Sequence, residues 1–340
     1  MNTTGTGQLR VGACLSLTGK HARFGKQARA GLEIWQESEQ GVSLIIEDDQ
    51  SDRRGFDAVF CRLAAKCDLL LGPYSTQLMR RAGETAAQLD RLVWNHGGSG
   101  DDVEAAHPGH VVSVLTPTSR YAESFLRRLV VNERPDRLWI IHGKGSFGRQ
   151  VTDGADSFAR KLGLNTARLG PGEDLPAEDV DSNWALLCAA SFEEDVDTVT
   201  RARGLNAPPK TVCAVAAGVR EFGEAVGEAE GIYGIGQWFP GAGGRAELGL
   251  DEGAFLDAYR KRMATLPDYP AAQAVATAAI ATHCARLANS TSRDSLWNAA
   301  SQLDTTTLFG RFNIDPSNGV QVGHEPSLVR WGSDGPEAVS

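Results

Sequence analysis

The sequence predicts an α/β fold: two doubly wound parallel-sheet lobes with a cleft between them. Three observations predict it. Short apolar runs of strand length alternate with longer stretches whose apolar residues recur at helical spacing. That rhythm runs twice, over Leu9–Pro117 and again over Thr118–Trp238. The 340 residues are also enough for two domains of ~100–200 residues, each with its own core.

Taken in order, Arg10–Leu17 reads as a strand and Phe24–Ser38 as a helix with Phe24, Ala28, Leu32 and Trp35 on one face. Val42–Glu47 is the next strand, and Phe56–Ala65 a helix burying Phe56, Val59, Phe60 and Leu63. Strands follow at Cys67–Leu71, Arg91–Trp94 and Val111–Leu115, with the helix Thr76–Leu89 between the first two. The second set holds strands Arg137–His142, Trp184–Ala190 and Thr211–Ala216, a weak strand Asn165–Leu169, and helices Gly148–Leu162 and Glu193–Arg203. Alternation of this kind builds βαβ units and parallel sheets.

The Gly/Pro-rich segment Phe239–Gly244 ends the rhythm. Helices are expected at Glu252–Leu266, Ala271–Ala288 and Asp294–Leu303. Gly310–Trp331 then reads as a β-hairpin turning around Asp315–Gly319. The chain is expected to cross between lobes near Pro117, Trp238–Gly244 and Leu303–Gly310. One lobe would hold residues 1–117 with 245–305, the other 118–244 with 306–340.

Composition narrows the function. Basic residues number 34 and acidic residues 43, a net charge of −9, and no long basic block is present. Binding to a phosphate backbone or an anionic membrane surface is not expected. No run approaches the ~18 apolar residues of a membrane span. The hydrophobic fraction of 41% and charged fraction of 23% are those of a folded globular chain. The six cysteines form no metal-ligand spacing, and Cys14, Cys188 and Cys213 sit in apolar strand-like runs, so free buried thiols are expected. Met1–Gly7 has neither the basic nor the apolar region of a secretory signal. The expectation therefore divides between a cytosolic protein and an extracytoplasmic one whose leader is not in this sequence.

Catalytic patterns do not assemble. Gly143-Lys144-Gly145-Ser146-Phe147-Gly148 follows a strand and opens a helix, as a dinucleotide fingerprint would. The acidic residue that should end the next strand and hold a ribose is not found after Asn165–Leu169. A tight turn into a helix is the alternative. His96-Gly97-Gly98-Ser99-Gly100 is like an esterase oxyanion loop, but no G-x-S-x-G accompanies it. Asp48 and Asp49 point apart in an extended chain and read as solvated loop carboxylates. No cofactor or metal is implied.

What does assemble is a set of strand ends bearing small polar and aromatic residues. Thr18, Gly19 and Phe24 follow the first strand, Gly72–Thr76 the third and Trp94–Ser99 the fourth. Ligands of open α/β sheets bind outside such ends. Ser75 would cap a helix whose free N–H groups suit a carboxylate.

In this order the segments resemble the type I periplasmic binding proteins, in the Leu/Ile/Val-binding and amide-sensing branch. The matching pieces are Val11–Leu17 with Thr18-Gly19 and Phe24-Gly25, Ile46–Asp52, Leu70–Ser75, Trp94–Ser99, Ser146–Gly148 and Phe309–Asp315. The resemblance implies Ser75 and Ser99 on a ligand carboxylate, and the Gly97 backbone near an ammonium. It also implies Phe24 and Phe147 as aromatics over the ligand, with Phe192 where leucine binders carry a tyrosine. The ammonium-binding glutamate of the family falls near Ala217, and Tyr74 stands where some members have a disulfide cysteine. The implied function is non-catalytic: a binding component that hands a small amino acid, amide or carboxylate to an ABC permease. A cytosolic amide or amino-acid sensor acting on a regulatory protein is the alternative, and a nicotinamide-dependent oxidoreductase a further one.

Overall fold

The computed structural model describes residues 8–242 and 244–339. Met1–Gly7, read above for a leader, lies outside them, as do Gly243 and Ser340. The chain forms two compact units. Unit 1 comprises the residues up to Thr116 with Pro240–His324, and unit 2 comprises Pro117–Phe239 with the residues from Glu325 onward.

Unit 1 opens with β1 (Leu9–Leu15), α1 (Ala22–Ser38), β2 (Val42–Asp48), α2 (Arg53–Lys66), β3 (Leu69–Leu71), α3 (Thr76–Gln88), β4 (Val93–Asn95) and β5 (Val111–Ser113). The strands form one parallel sheet in the order β2-β1-β3-β4-β5. Unit 2 adds α4 (Glu123–Asn132), β6 (Arg137–His142), α5 (Ser146–Lys161), β7 (Thr166–Leu169), β8 (Trp184–Ala189), α6 (Phe192–Arg203), β9 (Thr211–Ala214), α7 (Glu221–Val226) and β10 (Tyr233–Gly236). The chain then returns to unit 1 for α8 (Glu252–Met263), α9 (Tyr269–Ala288), α10 (Arg293–Gln302), β11 (Thr305–Thr307) and β12 (Gly310–Phe312). Finally β13 (Ser327–Gly332) and β14 (Gly335–Ala338) complete the sheet of unit 2, ordered β14-β13-β10-β9-β8-β6-β7.

The parallel part of the second sheet, β7-β6-β8-β9-β10, repeats the winding of the first. In both, the first strand of the set has its second strand on one side and its third on the other. That is the point where the strand order reverses, and where a crevice opens at the carboxyl ends. It lies at β1/β3 in unit 1 and at β6/β8 in unit 2.

Burial follows from side-chain pattern. One face of the unit 1 sheet packs on α2 and α3 through Cys14, Phe56, Phe60, Leu63, Leu70, Met79 and Val93. On α1, Gly31 lets the Ala-rich α9 approach so closely that a Cβ there would lie 2.6 Å from the Ala271 carbonyl oxygen. Fifteen of the twenty residues of α9 are buried, unbroken from Pro270 to Thr282, as expected for a helix apolar all round over that stretch. In unit 2, one core gathers Phe125, Leu138, Ile140, Val151, Leu187 and Ile235, and another Trp184, Leu186, Val199, Phe222 and Trp331.

Two expectations are corrected. The third crossing falls at His324–Glu325, not at Leu303–Gly310, so residues 306–324 belong to unit 1. The reason is polar anchoring: Gln321 Nε2 donates to the Val114 carbonyl at 3.0 Å, and Thr116 Oγ1 meets His324 Nδ1 at 2.7 Å. The C-terminal hairpin also differs. β12 pairs antiparallel with β11, Ile314 bridges Gln321 in isolation, and β13 lies between β10 and β14. Cys14, Cys67, Cys188, Cys213 and Cys284 are buried free thiols, while Cys61 is exposed on α2. No helix among the described residues is long and apolar enough to cross a membrane.

Candidate functional site

In unit 1 the predicted residues stand at the ends of three adjacent strands. Gly25 has no room for a side chain, since a Cβ would lie 2.0 Å from the Ser16 carbonyl oxygen. This close approach of α1 to the end of β1 fixes its neighbour Phe24. The Phe24 ring stacks on Tyr74 with centroids 4.4 Å apart, and His21 and Tyr269 complete an aromatic group around them. The hydroxyls of Tyr74 and Tyr269 share a hydrogen bond at 2.6 Å. Burial holds His21 well below its ordinary value, at about 4, with Lys20 acting in the same direction.

Ser75 caps α3, its Oγ accepting the Leu78 N–H at 3.4 Å. Its backbone adopts φ +93°, a conformation that costs a non-glycine residue about 1–3 kcal/mol. The Ser75 N–H donates to the Gly97 carbonyl at 3.0 Å, so the ends of β3 and β4 are joined. Gly97 is obligatory there: a Cβ would fall 2.7 Å from Tyr74 Cα and 2.8 Å from the Pro73 carbonyl oxygen. Ser99, half-buried like Gly97, follows two residues on. The structure thus brings Phe24, Ser75, Gly97 and Ser99 together at the strand-order reversal and beside it.

Neither Asp48 nor Asp49 is the freely solvated loop carboxylate expected from the sequence. Asp48 accepts from Leu17 N–H at 2.8 Å and from Thr18 Oγ1 at 2.7 Å, which holds it below the usual carboxylate range. Asp49 is fully buried and accepts from Ser16 Oγ at 2.7 Å and the Ser51 N–H at 2.8 Å. Its burial pushes it above that range. Together they fasten the loop carrying Thr18 and Gly19 to the one carrying Ser51.

Unit 2 places its candidates in the equivalent positions. Phe147 is in the first turn of α5 after β6, edge-on to Tyr121 at 5.6 Å. Phe192 begins α6 after β8, behind a capping box in which Ser191 and Glu194 satisfy each other's backbone N–H groups. Ala217 follows β9 in a short 3₁₀ turn, but its side chain lies in the core and is 0% exposed. The Ala217 carbonyl accepts the Trp331 indole N–H at 2.9 Å. Nearby, Asp195 of α6 is also 0% exposed and accepts the Ala216 N–H at 3.0 Å. Burial pushes Asp195 up to about 7.

Sequence reading did not single out Tyr74 as a stacking partner, nor Tyr269, Asn95, Glu104 or Asp195. The first two had a signal in their aromatic type near a strand end or helix start, whereas the buried polar residues had none without the tertiary contacts. The Gly143–Gly148 motif is explained by packing, because a Cβ at Gly148 would lie 2.3 Å from the Ala189 carbonyl oxygen. No group of three or more potential metal ligands occurs among the described residues.

Comparison with solved structures gives the same architecture along the whole chain. A leucine-binding protein, LivK, from Thermotoga maritima is 15% identical, covering 98% of both chains with a TM-score of 0.79. The branched-chain amino acid binding protein LivJ from Streptococcus pneumoniae, in complex with isoleucine, is 15% identical over 98% of this chain and 99% of its own, TM-score 0.75. A solute-binding protein of an ABC transporter from Rhodopseudomonas palustris, in complex with 3,4-dihydroxybenzoic acid, is 14% identical over 97% of this chain and 95% of its own, TM-score 0.79. No curated protein sequence matches the chain. The family model for periplasmic binding proteins matches residues 8–336, and the chain belongs to that family.

Proposed function

We propose that this protein is a non-catalytic binding component of an ABC transporter, taking a small carboxylate or amide at the strand ends of unit 1. The observation that carries the reading is the joining of Ser75 to Gly97 at the strand-order reversal of unit 1. It sets a helix N-terminus with its cap beside a second loop of small polar residues. Such an end attracts an anion, by ~0.3–1 kcal/mol when exposed and more when enclosed. Phe24 and Tyr74 supply an aromatic wall next to it. Phe147 and Phe192 stand at the corresponding strand ends of unit 2.

The ligand class follows from Ala217. A ligand ammonium needs a buried, hydrogen-bonded counter-charge, without which it costs several kcal/mol. The position after β9 offers only a methyl group turned into the core. The neighbouring Asp195 is fully buried, its Oδ2 bound to the Ala216 N–H. A carboxylate or amide without an ammonium therefore suits the site better than leucine. The relatives named above bind both kinds of solute, isoleucine in one case and 3,4-dihydroxybenzoic acid in another.

The test is a thermal-shift panel of leucine, isoleucine, valine, small amides, and aliphatic and aromatic carboxylates including 3,4-dihydroxybenzoate. Carboxylates or amides should stabilise the protein most. Titration calorimetry of the best solute should then show weaker binding to Ser75→Ala and to Ser99→Ala. Stronger stabilisation by the branched-chain amino acids would overturn the ligand class. Unchanged affinity in both serine variants would overturn the site.

A further inference from the structure

Behind the Gly97–Ser99 loop, three buried side chains form one chain of hydrogen bonds. Asn95 Oδ1 accepts from the N–H of Gly97 at 3.0 Å and of Gly98 at 2.9 Å. Asn95 Nδ2 donates to the Gly98 carbonyl at 2.7 Å and to Ser113 Oγ at 2.6 Å. Ser113 in turn donates to Glu104 Oε1. Asn95, Ser113 and Glu104 are 0%, 1% and 4% exposed.

The direction of this chain is forced. With its side-chain amide turned over, Asn95 would aim an N–H at two backbone N–H groups. Its oxygen must therefore face Gly97 and Gly98, and its nitrogen must face Ser113. The Ser113 oxygen thus receives a hydrogen and has one hydrogen of its own to give. Glu104 is the group that takes it, and the Asn95 side chain also favours its ionised form directly. An ionised carboxylate only accepts, so it completes the chain. A protonated one carries a hydrogen that competes for the same oxygen, and one link is loosened.

We infer that Glu104 is a positioning residue: through Ser113 and Asn95 it sets where the amide pair of Gly97 and Gly98 is held, and its ionisation sets how firmly. The consequence for a ligand rests on the reading of this loop as a binding loop. Burial raises Glu104 to about 7, so both forms are populated near neutrality. The groups around it come from several elements. On its own loop are Asp101, which repels it, and His107, whose N–H donates to the Glu104 carbonyl at 3.1 Å. Asp102 pairs with Arg80 of α3 at 2.7 Å. Arg293 of α10 reaches the Gly109 carbonyl at 3.5 Å while paired with Asp90, and His110 meets the Arg91 carbonyl at 3.0 Å. His96, after β4, is held to about 4 by burial and stays neutral in the relevant range.

The experiment uses the ligand-free full chain labelled with ¹⁵N-glycine, following the Gly97 and Gly98 amide resonances through neutral pH. Both should move with a common midpoint near 7. That midpoint should vanish in Glu104→Gln, its amplitude should fall in Ser113→Ala, and it should return in full in Ser113→Thr, which keeps the hydroxyl. A midpoint that persists in Glu104→Gln would assign the titration to another group and overturn the inference. So would resonances that do not titrate in the unaltered protein. Should Glu104→Gln fail to fold, the Ser113 pair of variants decides the question: an amplitude unchanged in Ser113→Ala overturns the inference. No ligand is present, so a failure here is separate from a failure of Ser75→Ala and Ser99→Ala to weaken binding.

Discussion

The Ser75 N–H donates to the Gly97 carbonyl at 3.0 Å, although Ser75 must hold φ +93° to do so. A serine in this conformation gives up stability that a glycine would keep, while its Oγ serves as the α3 cap. Strain of this kind persists where the surrounding structure over-determines it, and it collects at functional sites.

Two substitutions separate strain from capping. Ser75→Ala keeps the unfavourable φ and loses the cap, and should cost about 0.5–2 kcal/mol in denaturant unfolding. Ser75→Gly loses the cap at a cost of only a few tenths and relieves roughly 1 kcal/mol or more of strain. The glycine variant should therefore match or exceed the stability of the unaltered protein while binding solute more weakly. A glycine variant no more stable than the alanine one would show that this backbone is unstrained.

Asp195 predicts a pH dependence of stability. Its folded value, about 7, lies above the ordinary carboxyl value of 3.8, so the folded state holds its proton more tightly than the unfolded state. Between the two values the folded chain binds more protons, and stability falls as pH rises until Asp195 is ionised in both states. Asp195→Asn removes this loss and keeps an acceptor for the Ala216 N–H. Unfolding free energies should thus converge on, or cross to favour, the asparagine variant by roughly 3 kcal/mol between about pH 5 and about pH 8. Parallel pH curves for the two proteins would remove Asp195 from the account.

The thiols offer a simpler check. Of six cysteines, Cys61 alone is exposed and the other five are buried. A thiol reagent applied without reductant should modify one group rapidly in the native state and six after denaturation. Two fast native thiols, or four in total, would contradict the arrangement.

Much of this fold was legible because its strands and helices carry single-period signals. Arg137–His142 is a strand with the bounds its apolar run predicts, and α3 starts where Ser75 announces a cap. Elements without such signals escaped. β10 is Tyr-Gly-Ile-Gly, and Gly234 is there because a Cβ would lie 2.1 Å from the Ala217 carbonyl oxygen, a constraint invisible in one dimension. The segment around Asp315–Gly319 pointed to a hairpin, yet pairing was decided by partners far away in sequence. The Ser113 N–H, for example, donates to the Gly319 carbonyl at 3.1 Å. In the candidate site, the loop residues of unit 1 could be named from strand ends, whereas Phe147, Phe192 and Ala217 came only from the family resemblance. The buried carboxyls Glu104 and Asp195 could not, since an acidic residue in a loop or a helix reads as solvated until its neighbours are known.

Ala217 carries the last prediction. By the family resemblance, Ala217→Glu would restore the acid that leucine binders use and turn preference toward amino acids. The structure gives the substitution a different outcome. The Ala217 methyl is 0% exposed in a core with Phe222 and Trp331, and its carbonyl accepts the Trp331 indole N–H at 2.9 Å. A glutamate there must either bury its carboxylate without a counter-charge, at a cost of several kcal/mol, or push the turn away from Trp331. Asp195, tied to the adjacent Ala216 N–H, would add like-charge repulsion once both acids ionise. Ala217→Glu should therefore be strongly destabilised, more so above neutral pH than below it, with no gain in leucine affinity. Ala217→Ser, which adds one polar atom in place of a charge, should fold and lose about 1–3 kcal/mol. A stable glutamate variant that binds leucine tightly in calorimetry would show that this turn opens toward the ligand, and would overturn the ligand class proposed from its burial.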